Sequence, residues 1–173
     1  MQHAANPDRR ESELPRASAD VVQLPAARRE PWRPQYHYSP HQHWMNDPNG
    51  LIFNGGEYHH FYQYNPFGDQ WGHISWGHAV STDLVHWQEL PVAISEDHRV
   101  SIFSGSVVID ERNRAGFGGG AWVAIYTGCV GLPGGGRQAQ ELAFSHDRGR
   151  TWTKYMHNPV LDLGLRDFRA PKV

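Results

Sequence analysis

The sequence predicts an all-β fold made of repeated four-stranded units, and three observations carry that prediction. The 173 residues hold seven Trp, seven Tyr and seven Phe with 18 Gly and only three Met, a composition that favours pleated structure over a helical bundle. Twenty of the 21 aromatics lie from Tyr36 onward, in short runs separated by turn signals, as in an all-β domain. The chain also repeats itself. Tyr62, Ala79, Ser81 and Asp83 fall 64 positions before Tyr126, Ala143, Ser145 and Asp147, and Trp87 falls 65 before Trp152. A strand-forming repeat of this size reads as the blades of a β-propeller, each burying its faces against its neighbours. Propellers have about 4–8 blades; this chain has length for two and the start of a third, so it reads as the front of a larger fold.

The elements follow in order. Residues 1–35 carry six Arg, five acids and five Pro but one aromatic, Trp32. That is too little apolar surface to offset ordering entropy, and the segment reads as a disordered leader or linker, with the folded domain spanning 36–173. Leu51-Ile52-Phe53 and Glu57 to Tyr64 flank Asn54-Gly55, a hairpin signal. Ser75 to Ser81 and His86 to Glu89 flank the turn Thr82 to Val85. Ser106 to Ile109 and Trp122 to Thr127 read as buried strands joined by the Gly-rich loop Gly116 to Gly120. Glu141 to Ser145 and Thr151 to Tyr155 flank His146 to Arg150.

Composition excludes several functions. Sixteen Lys and Arg against 18 Asp and Glu leave a net charge of −2 and no basic stripe, which argues against a nucleic-acid partner. No apolar run approaches the roughly 20 residues of a membrane-spanning helix, and the N-terminus shows no signal-peptide apolar region. Cys129 is the single cysteine. Twelve His invite a metal hypothesis, but His59, His60, His73, His78 and His86 lie on strands and tight turns without the spacing of a zinc site. They read as hydrogen-bonded packing, with His78 supporting a pocket from behind. Gly131 to Gly136 lacks the Lys of a phosphate-binding loop and reads as a flexible connection.

The chemistry concentrates in His43-Trp44-Met45-Asn46-Asp47-Pro48-Asn49-Gly50. Four loop formers in a row place Asp47 on a rigid turn just before a strand. By itself, an Asp beside Pro serves as readily to cap a turn as to meet a ligand. Two further clusters favour the ligand. Trp71 to His78 sets aromatics and imidazoles beside glycines, and Phe103-Ser104-Gly105-Ser106 sets hydroxyls beside an aromatic. Sugars are recognised by this mixture, because aromatic faces take the C–H surface while hydroxyls, amides and carboxylates take the OH groups.

Five runs in order then resemble glycoside hydrolase family 32: Trp44-Met45-Asn46-Asp47-Pro48-Asn49-Gly50, Phe61-Tyr62-Gln63-Tyr64-Asn65-Pro66, Trp76-Gly77-His78-Ala79, Phe103-Ser104-Gly105-Ser106 and Asp167-Phe168-Arg169-Ala170-Pro171-Lys172-Val173. This is the family of invertases, inulinases, levanases and fructan hydrolases. The wording from Leu84 to Pro91 and from Asn158 to Leu161 is most similar to exo-acting levanases and inulinases. The resemblance implies a five-bladed propeller followed by a β-sandwich, and retaining hydrolysis of β-fructofuranosides in fructan or sucrose, with no cofactor and no metal. It implies an extracellular or periplasmic location. Asp47 matches the nucleophile. Asn46, Gln63, Trp71, Phe103 and Ser104 match the fructose subsite, and Arg169 matches a residue that binds sugar hydroxyls.

Retaining chemistry needs a second carboxyl about 5–5.5 Å away, and in the family it is a Glu beyond the third block, with no counterpart in this sequence. The third block departs from the family as well. It reads Arg-Ala-Pro where the family has Arg-Asp-Pro, so Ala170 stands at the transition-state stabiliser. Ala170 reads equally as a substitution, the mark of a degenerate copy, or an error. The expectation is a chain inactive by itself, from an active parent or from a non-catalytic fructan-binding propeller protein. Ser145 to Trp152 also fits the Asp-box hairpin of sialidases, a structural turn; a sialidase needs an arginine cluster that is missing around Arg169.

Overall fold

The computed structural model describes residues 30–131 and 136–173. Most of the predicted leader, and Leu132 to Gly135 of the predicted flexible connection, lie outside the described residues. No helix occurs among them. Eight strands run β1 (Met45–Asn54), β2 (Glu57–Tyr64), β3 (Ser75–Ser81), β4 (Trp87–Ile94), β5 (Ser101–Asp110), β6 (Ala121–Val130), β7 (Arg137–Ser145) and β8 (Thr153–Lys154). They form two antiparallel sheets ordered β1-β2-β3-β4 and β5-β6-β7-β8. Each sheet is a meander, and each is one propeller blade, as the repeat predicted. Beyond β8 the described chain forms no further strand, only a bridge between Gln140 and Leu161.

The blades are welded face to face. Phe61, Trp76 and Ile94 of the first meet Ile102, Val107, Trp122, Ala124, Tyr126 and Ala143 of the second in one buried cluster. Burying each of the larger aliphatic and aromatic side chains contributes roughly 1.5–3 kcal/mol. Successive strand residues point to opposite faces, so Tyr62, Tyr64 and Ala79 form a second cluster on the first blade's other face, covered by Tyr38, Met45, Trp87 and Val92. Tyr38 Oη donates to Tyr62 Oη at 2.7 Å. Contacts reach back to Arg33, whose guanidinium donates to Ser39 Oγ and to the carbonyls of Pro40 and His41.

The repeat has a local cause. In the β3–β4 turn, Ser81 Oγ donates to Asp83 Oδ1 and accepts the Leu84 N–H, while Trp87 Nε1 donates to the Leu84 carbonyl. In the β7–β8 turn, Ser145 Oγ donates to Asp147 Oδ1 and accepts the Gly149 N–H, while Trp152 Nε1 donates to the Gly149 carbonyl. The Asp side chains take up backbone N–H groups that a tight turn leaves unpaired, so this hairpin is structural in both blades.

Two expectations are corrected. Asp47 lies inside a strand, not on a turn before one: β1 begins at Met45 and absorbs the loop formers through irregularities between Met45 and Pro48 and between Asn49 and Ile52. Pro48 lacks an N–H, and an edge strand carrying bulges tolerates that. His78 does not support the cleft described below. It is buried between the blades, stacked on Phe61 at 4.1 Å, and its Nε2 lies 3.0 Å from His59 Nδ1.

Candidate active site

β1 and β5 are the edge strands that face one another where the two blades meet. Both are bulged there, β5 between Ile102 and Gly105. The bulges turn successive side chains out of strict alternation and toward a shared cleft of about 290 Å³, lined by Asn46, Asp47, Gln63, Trp71, Phe103, Ser104, Arg169 and Ala170. All seven predicted site residues and the altered position therefore come together from five separate segments. Another hollow, of about 250 Å³, opens around Glu57, Ser81, His86 and Trp87 and contains none of them.

Asp47 is exposed in the cleft, and Ser104 Oγ donates to its Oδ2 at 3.0 Å. A hydroxyl bond to a carboxylate is charge-assisted and fixes the oxygen's direction. Gln63 is buried, its Nε2 donating to the Ile102 carbonyl at 2.9 Å. Trp71 and Phe103 meet edge to face, with ring centroids 6.4 Å apart, and Trp71 is half exposed. Trp76, fully buried, donates from Nε1 to the Phe103 carbonyl at 3.0 Å, tying the rim to the core. Arg169 pairs with the exposed Asp167 at 2.9 Å. Asp47 is the one carboxylate lining the cleft among the described residues.

Sequence reasoning gave no individual role to four residues behind the cleft, Asn49 and Ser106 standing only within motif runs and Thr127 and Gln140 in none. Asn49 Oδ1 accepts the Gly105 N–H at 3.3 Å and bridges β1 to β5. Ser106, Thr127 and Gln140 bind the segment that carries Arg169 and Ala170. For Thr127 and Gln140 a signal was present: they are polar positions in β6 and β7, strands otherwise largely buried. Among the described residues no three His, Cys, Asp or Glu gather as a metal site.

A carboxylate held by a hydroxyl, two amides, two aromatic side chains and a guanidinium thus surround one small cleft on the propeller. Residues 37–173 match the family model described as the glycosyl hydrolases family 32 N-terminal domain, and the chain belongs to that family. It is 55% identical over 148 residues to a levanase of Bacillus subtilis, covering 83% of this chain and 21% of that protein. It is 48% identical over 169 residues to an extracellular exo-inulinase of Aspergillus awamori, covering 83% of this chain and 32% of that one. Among solved structures, a fructofuranosidase of Schwanniomyces occidentalis complexed with fructose superposes with a TM-score of 0.74 at 44% identity, over 79% of this chain and 28% of that one. The chain thus spans between a fifth and a third of the length of these relatives.

Proposed function

We propose that this chain supplies the nucleophile half of a retaining β-fructofuranosidase acting on levan, inulin or sucrose. The observation that carries the reading is Asp47, the cleft's one carboxylate, held by the Ser104 hydroxyl among the groups matching a fructose subsite. Asp47 attacks the anomeric carbon of the fructosyl unit as the bond to the leaving oxygen breaks, forming a fructosyl ester. A second carboxyl protonates the leaving oxygen, then takes a proton from the water that hydrolyses the ester and frees Asp47. Gln63, Asn46 and Arg169 bind sugar hydroxyls, Trp71 and Phe103 take its apolar face, and no cofactor enters.

Taken alone the chain is inactive in this reading. The cleft presents one carboxylate where the reaction uses two, and Ala170 offers a methyl where the family's third block carries Asp. In an intact full-length parent that carries this segment and releases fructose, if need be with Ala170→Asp, Asp47→Asn abolishes that release from sucrose, inulin or levan with the fold intact; substantial remaining turnover refutes the nucleophile role. Ala170 favours a second reading, a fructan-binding propeller without catalysis. Calorimetric titration with inulin or levan oligosaccharides beside a reducing-sugar assay separates the two: binding without turnover in that full-length protein, unrescued by Ala170→Asp, leaves the binding protein.

A further inference from the structure

The segment Phe168 to Val173 has no strand partner, yet its backbone is held at four points by three buried side chains of the second blade. Gln140 on β7 donates from Nε2 to the Phe168 carbonyl at 2.7 Å. Thr127 on β6, register partner of Gln140, accepts the Ala170 N–H at 2.9 Å on Oγ1, and its own hydroxyl proton goes to Gln140 Oε1 at 3.1 Å. Ser106 on β5 donates to the Pro171 carbonyl and accepts the Val173 N–H, both at 3.3 Å. Thr127 is fully buried, and Gln140 and Ser106 are nearly so. The three form a polar row crossing β7, β6 and β5 in order. Such groups are costly to bury unpaired, so the row is stable only with a chain lying on it.

What the row holds is the cleft wall. Arg169 and Ala170 line the cleft, and Ala170 is held at φ 58°, a left-handed conformation that a non-glycine residue adopts only under outside constraint. We infer that Thr127 and Gln140 are positioning residues that clamp the backbone at 168–170 and so set where the side chains at 169 and 170 meet the bound sugar. Neither touches the cleft. Thr127 is the hinge of the device because one hydroxyl accepts from the segment while donating to Gln140. The inference rests on the sugar reading above for what the wall binds.

The test uses the 173-residue chain. Thr127→Val keeps shape and removes the hydroxyl; Thr127→Ser keeps the hydroxyl. Amide exchange followed by NMR reads the clamp, with the buried Phe61 amide of β2 as the marker of an intact fold. Titration with a short inulin oligosaccharide reads the wall. Thr127→Val is expected to speed exchange at Ala170 at least tenfold and weaken oligosaccharide binding at least fivefold, with Phe61 unchanged and Thr127→Ser within twofold of the parent in both. Unchanged exchange at Ala170, or faster exchange with undiminished binding, overturns the positioning role. If Phe61 exchange shows that Thr127→Val has lost the fold, Gln140→Met decides: weaker binding with faster Ala170 exchange supports the clamp, and no change in either refutes it. Absence of binding even by the unaltered chain, with the exchange pattern as expected, sinks the sugar reading and the positioning role with it while the clamp's geometry stands.

Discussion

Gly105 sits where fold and site are one object, and Gly105→Ala is the substitution with the most to lose. A Cβ at 105 points into the β6 backbone: it overlaps the Ile125 carbonyl oxygen and comes within 2.7 Å of Tyr126 Cα and 2.9 Å of the Ile125 carbonyl carbon. Main chain in the middle of a sheet cannot rotate aside as a side-chain tip can, so β5 must lift from β6. Overpacking costs about 1–3 kcal/mol where side chains can adjust, and here the backbone places the expected loss at the upper end, about 3 kcal/mol. At roughly 3 °C per kcal/mol for a domain of this size, that lowers Tm by about 10 °C. The same displacement breaks the bond from Gly105 N–H to Asn49 and carries Ser104 away from Asp47. Urea unfolding followed by tryptophan fluorescence measures the stability, and oligosaccharide titration measures the site. A loss below about 0.5 kcal/mol would refute the close-approach argument.

Other outcomes follow from the same geometry. Ala170→Asp restores a carboxylate to the cleft wall and, at roughly 1.5–3 kcal/mol per charge-assisted hydrogen bond, should tighten oligosaccharide binding at least tenfold by calorimetry; unchanged affinity argues against sugar at this wall. Acid should destabilise the chain through its buried imidazoles. Burial first, then the nearby Arg150 and Arg148 charges against an opposing Glu57, push His59 down to about 4; burial alone takes His60 to about 4; burial, aided by His59, Arg150 and His60 against Asp147, holds His78 well below the usual range. All three folded-state values lie below the ordinary 6.5, so the unfolded chain binds protons first. This contribution is whole above about pH 6.5 and is lost progressively as pH falls toward 4. Thermal melts across that window should show Tm falling, and a flat profile would contradict the burial argument. Arg150→Met removes a charge that holds His59 down and should shallow the slope, each variant being referenced to its own Tm at pH 7.

Much of this was legible from the chain alone. The 64-residue offset between Tyr62 and Tyr126 and between Asp83 and Asp147 became equivalent positions in two blades, because each turn meets its own hydrogen-bonding needs with a Ser, an Asp and a Trp a few residues apart. Asn46, Asp47, Gln63, Phe103, Ser104 and Arg169 lie in the motif runs and Trp71 in the neighbouring aromatic and glycine cluster, and one cleft gathers them. The failures were of context. The run Asn46 to Asn49 has turn propensity, but pairing with β2 at Pro48–Tyr62 and Asn49–Phe61 draws it into a bulged strand. His78 sits beside Gly77 in a motif, yet strand alternation sends it to the interblade core.

By itself, then, the sequence determined what is local: strand and turn chemistry, the blade repeat, and the identity of the groups that line the cleft. Tertiary structure alone decided the pairings between residues distant in the chain: Asp47 with Ser104, Asn49 with Gly105, and Thr127 with Ala170. The reason is physical. A turn is specified by neighbours along the chain, whereas a hydrogen bond between blades depends on how two bulged edge strands pack, which the interblade core of Phe61, Trp76, Trp122 and Tyr126 settles.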